Sequence, residues 1–161
     1  MSEQDRVSRA AYLLGFAGLL PPLAAVALIA LGRGDPTDLA WVPLLIGYGL
    51  ALIYAAVILS FLGGIWWGFA MRRDAGQGRL VALSVLPPLV AAACVGGAAL
   101  TVRDGGPLPL LVLGAAVMLT LLVDRHLVAT GEAPAGWMRL RVPLSLGLGV
   151  LTIAAGLLLW R

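Results

Sequence analysis

The sequence predicts an all-α fold, a polytopic membrane bundle of five transmembrane helices with a cytoplasmic N-terminus and a C-terminus outside. Apolar residues make up 61% of the 161 positions and charged residues only 12%, against roughly 25% charge in soluble domains. Five stretches approach the ~20 apolar residues that cross a bilayer core. Arginines gather in alternate connections. This composition excludes a water-soluble globule, a disordered chain and, with Cys94 as the one cysteine, a disulfide scaffold.

The five helices are predicted at about residues 10–31, 45–71, 80–101, 108–128 and 139–160. The second lies within an uninterrupted apolar segment, residues 39–71, which at ~1.5 Å per residue would reach about 50 Å. Two crossings do not fit in that length. Residues 39–46, with Trp41 and Pro43, are therefore interpreted as an interfacial entry to one long tilted helix. The connections are short and rich in Gly and Pro, so the chain forms a single transmembrane domain.

The distribution of arginines predicts the orientation, because every basic residue is an arginine and short cytoplasmic loops are enriched in basic residues. Eight lie on one predicted side: Arg6, Arg9, Arg72, Arg73, Arg79, Arg125, Arg139 and Arg141. Three lie on the other: Arg33, Arg103 and Arg161. The richer side is placed in the cytoplasm. These arginines flank apolar helices and form no basic stripe, so the lipid bilayer is the expected partner and nucleic acid is not.

Small residues recur on the second helix, where Ala56, Ser60, Gly64 and Gly68 follow one another at a spacing of four. Helices in lipid associate through close backbone approach, which small residues allow. With Gly63 and Trp67 they form the predicted helix-packing or ligand face. We interpret this face as a contact with a neighbouring helix of the same chain. Self-association, another membrane protein, or a lipid or quinone-like ligand at this face are the alternatives.

Two proline pairs fall inside predicted helices, Pro21-Pro22 in the first and Pro87-Pro88 in the third. Each proline removes a backbone hydrogen bond and clashes with the preceding turn, so both helices are predicted to kink. Broken helices in transporters often expose carbonyls at a substrate site. The prolines are therefore candidate functional positions as well as structural ones.

Asp124 is the one acidic residue that continues an apolar helix, and intramembrane charge is functional by default. It lies sixteen steps beyond Leu108, about 24 Å at helical rise, which places it near the cytoplasmic boundary. Pairing with an arginine is the main interpretation, and proton or substrate handling is the alternative. The predicted membrane-boundary charge cluster comprises Asp124, Arg125, Arg139, Arg141, Arg72 and Arg73.

Groups for chemistry are scarce in this sequence. His126 is the only histidine. Together with the single cysteine it provides too few ligands for a zinc site or a bis-histidine haem. No His-Glu-x-x-His motif and no pair of intramembrane carboxylates for acid–base work is present. We therefore expect no metal, no cofactor and no catalytic residue, and the chain is not predicted to be an enzyme.

Four segments carry a family resemblance: residues 54–68, with the core Ser60-Phe61-Leu62-Gly63-Gly64, and residues 83–87, 124–125 and 137–144. They resemble, in this order, the family called domain of unknown function 3429, which includes mitochondrial transmembrane protein 69. The resemblance implies a multi-span protein of bacterial or mitochondrial inner membranes, without an established activity. In that family a His or Arg often stands where this chain has Trp66, so a metal or haem role for this position is in doubt.

Two functions remain after these exclusions. The first is a non-catalytic accessory, scaffold or assembly component of a larger inner-membrane complex, acting through helix contacts. The second is a small oligomeric transporter or channel that uses the proline-broken helices and Asp124. No transit sequence precedes the first helix, so the expected location is the bacterial inner membrane.

Overall fold

The computed structural model describes residues 8–32, 39–100, 106–134 and 136–160, and all regular structure in these ranges is helical. The helices are α1 (Arg9–Ala17), α2 (Leu20–Leu31), α3 (Val42–Ala70), α4 (Gln77–Leu100), α5 (Leu108–Ala129) and α6 (Trp137–Leu157). Short 3-10 turns, Leu39–Trp41 and Leu158–Trp160, precede α3 and follow α6. Five spans within the described residues are long and apolar enough to cross a membrane. The all-helical, five-span prediction is therefore confirmed.

The first span consists of two helices, because α1 ends at Ala17 and α2 begins at Leu20. Pro21 and Pro22 occupy the first turn of α2, where a missing N–H costs no helical hydrogen bond. In a continuous helix the N–H of residue 22 would donate to the Gly18 carbonyl. Instead, the Tyr54 hydroxyl of α3 donates to that carbonyl at 2.5 Å. The interruption predicted for this span thus precedes the prolines by one short turn.

Two predicted boundaries need correction. α3 begins at Val42 and not at residue 45, because Pro43 lies in the first turn, so most of the predicted interfacial entry is helix. α4 begins at Gln77 and not at residue 80. Gly76 has a φ of +70°, which ends the preceding turn and lets the helix start with polar residues that an apolar scan leaves out. α4 then continues through Pro87 and Pro88 without interruption.

Glycines set the closest contacts between helices. α3 is central and packs against α2, α4, α5 and α6, while α5 and α6 pack along each other. A Cβ at Gly63 would overlap the Ser84 carbonyl oxygen of α4, the acceptor that lacks a helical donor because Pro88 has no N–H. Between α5 and α6, a Cβ at Gly114 would lie 2.7 Å from the Gly149 carbonyl oxygen. The backbones therefore approach as closely as small residues permit.

Large aliphatic side chains fill the space between these contacts. The most buried of them belong to α3 and α5: Leu59, Leu110, Leu113, Val117 and Leu127. Other large apolar side chains point outward from every span, as a bundle surrounded by lipid tails permits. The apolar interior is interrupted by polar side chains toward one end of the bundle.

Candidate functional site

A buried ion pair lies where α3, α5 and α6 meet. Arg141 Nε donates to Asp124 Oδ2 at 2.6 Å, and the Trp66 indole Nε1 donates to the other carboxylate oxygen, Oδ1, at 2.9 Å. Arg141 Nη2 also donates to Thr120 Oγ1 at 3.2 Å. We call Trp66, Thr120, Asp124 and Arg141 the buried polar centre. Its charge-assisted bonds are the strong kind, and they join three helices.

Antiparallel packing of α5 and α6 brings these side chains together. Gly114 lies against Gly149 and Asp124 lies against Arg141, so residue numbers rise along one helix as they fall along the other. Thr120 and Asp124 are four residues apart on α5 and share a helix face. The Thr120 hydroxyl donates to the Val117 carbonyl at 2.6 Å, which leaves its oxygen available to accept from the guanidinium.

The buried polar centre is almost fully enclosed. Asp124 is 1% exposed and Arg141 is 7% exposed. A lone charge in such a place would cost several kcal/mol, whereas a paired and hydrogen-bonded one is tolerated. Because Asp124 accepts a hydrogen bond on each oxygen, its carboxylate is engaged in fixing the helices relative to one another.

A second ion pair joins the two loops at the same end of the bundle. Arg73, just after α3, donates through Nε and Nη2 to the two carboxylate oxygens of Glu132, at 2.5 and 2.7 Å. The Thr130 hydroxyl donates to Glu132 Oε1 at 2.7 Å. We call Arg73 and Glu132 the loop clasp. The hydrogen bond from Arg73, then that from Thr130, lowers the pKa of the Glu132 carboxyl below 4.5, and the hydrogen bond to Glu132 raises the pKa of Arg73.

The predicted charge cluster is divided in the structure. Asp124 pairs with Arg141, one of the partners expected from the sequence, while Arg73 pairs with Glu132, which the sequence analysis did not consider. Arg72, Arg125 and Arg139 are exposed. Of the arginines used to predict orientation, Arg6, Arg33, Arg103 and Arg161 lie outside the described residues. The six-residue cluster therefore does not form one site.

The predicted row of small residues on α3 is buried at its start and exposed at its end. Ala56 is buried, Ser60 is half-buried and donates to the Ala56 carbonyl at 2.8 Å, and Gly64 and Gly68 are exposed. A spacing of four advances by about 40° per step on a helix of 3.6 residues per turn, so the row rotates outward. Of the other two members of the predicted face, Gly63 is buried and Trp67 is exposed.

Some buried polar atoms have no hydrogen-bond partner among the described residues: Tyr48 Oη, Trp137 Nε1 and Ser145 Oγ. Trp137 contacts the Phe69 ring edge to face, with 6.2 Å between ring centroids. Cys94 is partly buried in α4. Within the described parts of the chain, no group of three or more His, Cys, Asp and Glu residues is placed to hold a metal ion.

Trp66, Thr120 and Glu132 belong to these two sites and were not predicted from the sequence. Trp66 is 58 residues from Asp124, and nothing in local spacing joins them. Arg141, by contrast, was predicted as a partner of Asp124. Its position in the sequence supports this, because it is the last charged residue before a long apolar run within the final predicted helix.

Five apolar spans, three of them joined by a buried ion pair and its hydrogen bonds, define a multi-pass helical membrane protein. The family comparison identifies the family to which the chain belongs. A family model described as "Protein of unknown function (DUF3429)" matches residues 7–158, which is nearly the whole chain, so the protein belongs to that family. No curated protein and no solved structure matches the chain.

Proposed function

We propose that this protein is a non-catalytic accessory, scaffold or assembly component of the bacterial inner membrane. One observation carries the proposal: the intramembrane carboxylate, Asp124, accepts on both oxygens from side chains of two other helices. A carboxylate whose two oxygens both accept from side chains of the same chain stabilises the arrangement of the helices. The protein would then act through the surface that this arrangement presents to other membrane proteins or to a second copy of itself.

A transporter or channel, the second candidate, would need polar groups that a substrate can reach. Asp124 is 1% exposed. Two of the carbonyls released by the proline pairs lie inside the bundle, because the Gly18 oxygen accepts from Tyr54 and the Ser84 oxygen lies against Gly63. These contacts favour an assembly role over transport. Measured flux through the purified protein in proteoliposomes would reverse that preference.

The outward face of α3 is the candidate contact surface. Ser60, Gly64 and Gly68 recur there beside Phe61, which is 63% exposed, and Trp67, which is 45% exposed. A Cβ at Gly64 or Gly68 would meet no other atom within 4 Å. A partner helix could therefore approach the α3 backbone closely at these positions.

The test is quantitative co-purification from cells after mild solubilisation. The wild-type protein should retain a stoichiometric partner, or a second copy, and Gly64→Leu should lose it. Gly96→Leu is the matched control, since Gly96 of α4 is also exposed and open but lies on another helix. A monodisperse wild-type protein without a partner, or equal retention by the two variants, would count against the proposal.

Orientation forms part of the same proposal. The arginine distribution supports a cytoplasmic N-terminus and a C-terminus outside. Reporter fusions at the two ends should report from opposite compartments. Signals from one compartment alone would contradict the five-span orientation.

A further inference from the structure

A cleft of about 590 Å³ lies between the loop that joins α3 to α4 and the loop that joins α5 to α6. Its walls include Phe69 at the end of α3, Arg72 and Asp74 in the first loop, and Gly131 and Glu132 in the second. Small-molecule sites commonly have volumes of roughly 300–1,000 Å³. The cleft is therefore large enough for a lipid headgroup.

The position of the cleft along the bundle matches the headgroup region of a membrane. α3 ends at Ala70, α5 ends at Ala129 and α6 begins at Trp137, so the cleft opens where three spans end. The Trp137 ring contacts the edge of Phe69, and tryptophan is enriched at this level of a bilayer. A ligand in the cleft would meet the Phe69 ring on one side and loop charges on the other.

The charges that line the cleft balance. Arg73 and Glu132 are occupied by each other in the loop clasp. Arg72 and Asp74 are both exposed, and neither has an ion-pair partner among the residues that the structure describes. One cation and one anion, two residues apart, are thus available to a ligand. A ligand with one negative and one positive group complements this pair better than a purely anionic one.

We propose that this cleft binds a phospholipid whose headgroup contains both a phosphodiester and a primary ammonium, as in phosphatidylethanolamine. The Arg72 guanidinium recognises the phosphate, for which its planar array of donors is suited. The Asp74 carboxylate accepts hydrogen bonds from the ammonium, and Phe69 contacts the glycerol end. Phosphatidylcholine has a cation but no N–H to donate, and phosphatidylglycerol has no cation, so Asp74 favours phosphatidylethanolamine over both.

The experiment measures lipid binding to the purified full-length protein in detergent by native mass spectrometry, with phosphatidylethanolamine, phosphatidylcholine and phosphatidylglycerol compared. Arg72→Gln should weaken binding of all three lipids about tenfold, the loss expected for one charge-assisted hydrogen bond. Asp74→Asn should weaken the phosphatidylethanolamine complex most and leave the phosphatidylglycerol complex unchanged. Arg125→Gln is the matched control, because Arg125 is exposed at the end of α5 and does not line the cleft.

Competition distinguishes a lipid from a free phosphate. Glycerophosphoethanolamine should displace the bound lipid, and inorganic phosphate at the same concentration should not. Equal displacement by inorganic phosphate would assign the cleft to a free anion and overturn the proposal. Equal binding of phosphatidylethanolamine and phosphatidylcholine, or equal losses in Arg72→Gln and Arg125→Gln, would overturn it as well.

Discussion

The buried polar centre and the loop clasp contain the same chemistry in different surroundings. Each contains an ion pair between an arginine and a carboxylate on different helices or loops. The side chains of Arg141 and Asp124 are 9% and 1% exposed, whereas those of Arg73 and Glu132 are 21% and 24% exposed. Water reaches the clasp and scarcely reaches the centre, so breaking the two pairs should have very different consequences.

The difference follows from desolvation. Removing one partner of a buried pair leaves an uncompensated charge away from water and costs about 3–5 kcal/mol, whereas exposed pairs contribute roughly 0–1 kcal/mol. The centre therefore fixes the relative positions of α3, α5 and α6, whereas the clasp connects two loops at the surface. Good hydrogen-bond geometry alone does not make a contact strong.

The largest effect is expected for Asp124→Ala. It leaves Arg141 and the Trp66 indole without their acceptor, so the free energy of unfolding should fall by about 3–5 kcal/mol. Equilibrium unfolding in mixed micelles, followed by tryptophan fluorescence, measures this loss. The double variant Asp124→Leu/Arg141→Met removes both charges and should recover most of the stability. A double variant as unstable as the single one would show that the ion pair itself contributes net stability.

A substitution at Gly63 tests how much an uncharged helix contact contributes to stability, compared with the buried polar centre. Gly63→Ala forces a Cβ onto the Ser84 carbonyl oxygen, and such overpacking costs about 1–3 kcal/mol. Gly64→Ala is the control one residue away, where a Cβ meets nothing within 4 Å. It should leave stability unchanged or raise it slightly, because alanine favours the helix. Equal losses in the two variants would contradict the α3–α4 packing described above.

Sequence reasoning predicted the number of spans well, because hydropathy measures a transfer free energy that each span has on its own. It also identified Asp124 and included Arg141 among its partners. It did not identify Trp66 as a donor, and its main interpretation of Gly64 and Gly68, a contact with a neighbouring helix of the same chain, does not hold because both are exposed. Which face of a helix is buried depends on its rotation against its neighbours. Contacts between distant residues, such as Gly63 with Ser84, set that rotation.

A neutral hydrogen bond inside the membrane gives an intermediate reference between the two ion pairs. Tyr54→Phe removes the donor to the Gly18 carbonyl and should lower the free energy of unfolding by about 0.5–1.5 kcal/mol. Tyr48→Phe is the matched control on the same helix, because the Tyr48 hydroxyl is buried without a partner. Removing it should be neutral or stabilising. The same unfolding assay measures both variants. A larger loss of stability for Tyr48→Phe than for Tyr54→Phe would contradict the hydrogen bond from Tyr54 to Gly18.

The loop clasp should give the smallest effect, and its contribution should depend on pH. Because its folded-state pKa is lowered, Glu132 stabilises the protein at pH values above its ordinary pKa of 4.5, and this contribution disappears as the pH falls through the lower, folded-state value. Glu132→Gln should therefore melt slightly below the wild type near pH 7, and the two melting temperatures should converge once the pH falls below the folded-state pKa of Glu132. Differential scanning fluorimetry across this range measures the gap between them. A gap that stays constant with pH would mean that the Glu132 charge does not stabilise the clasp.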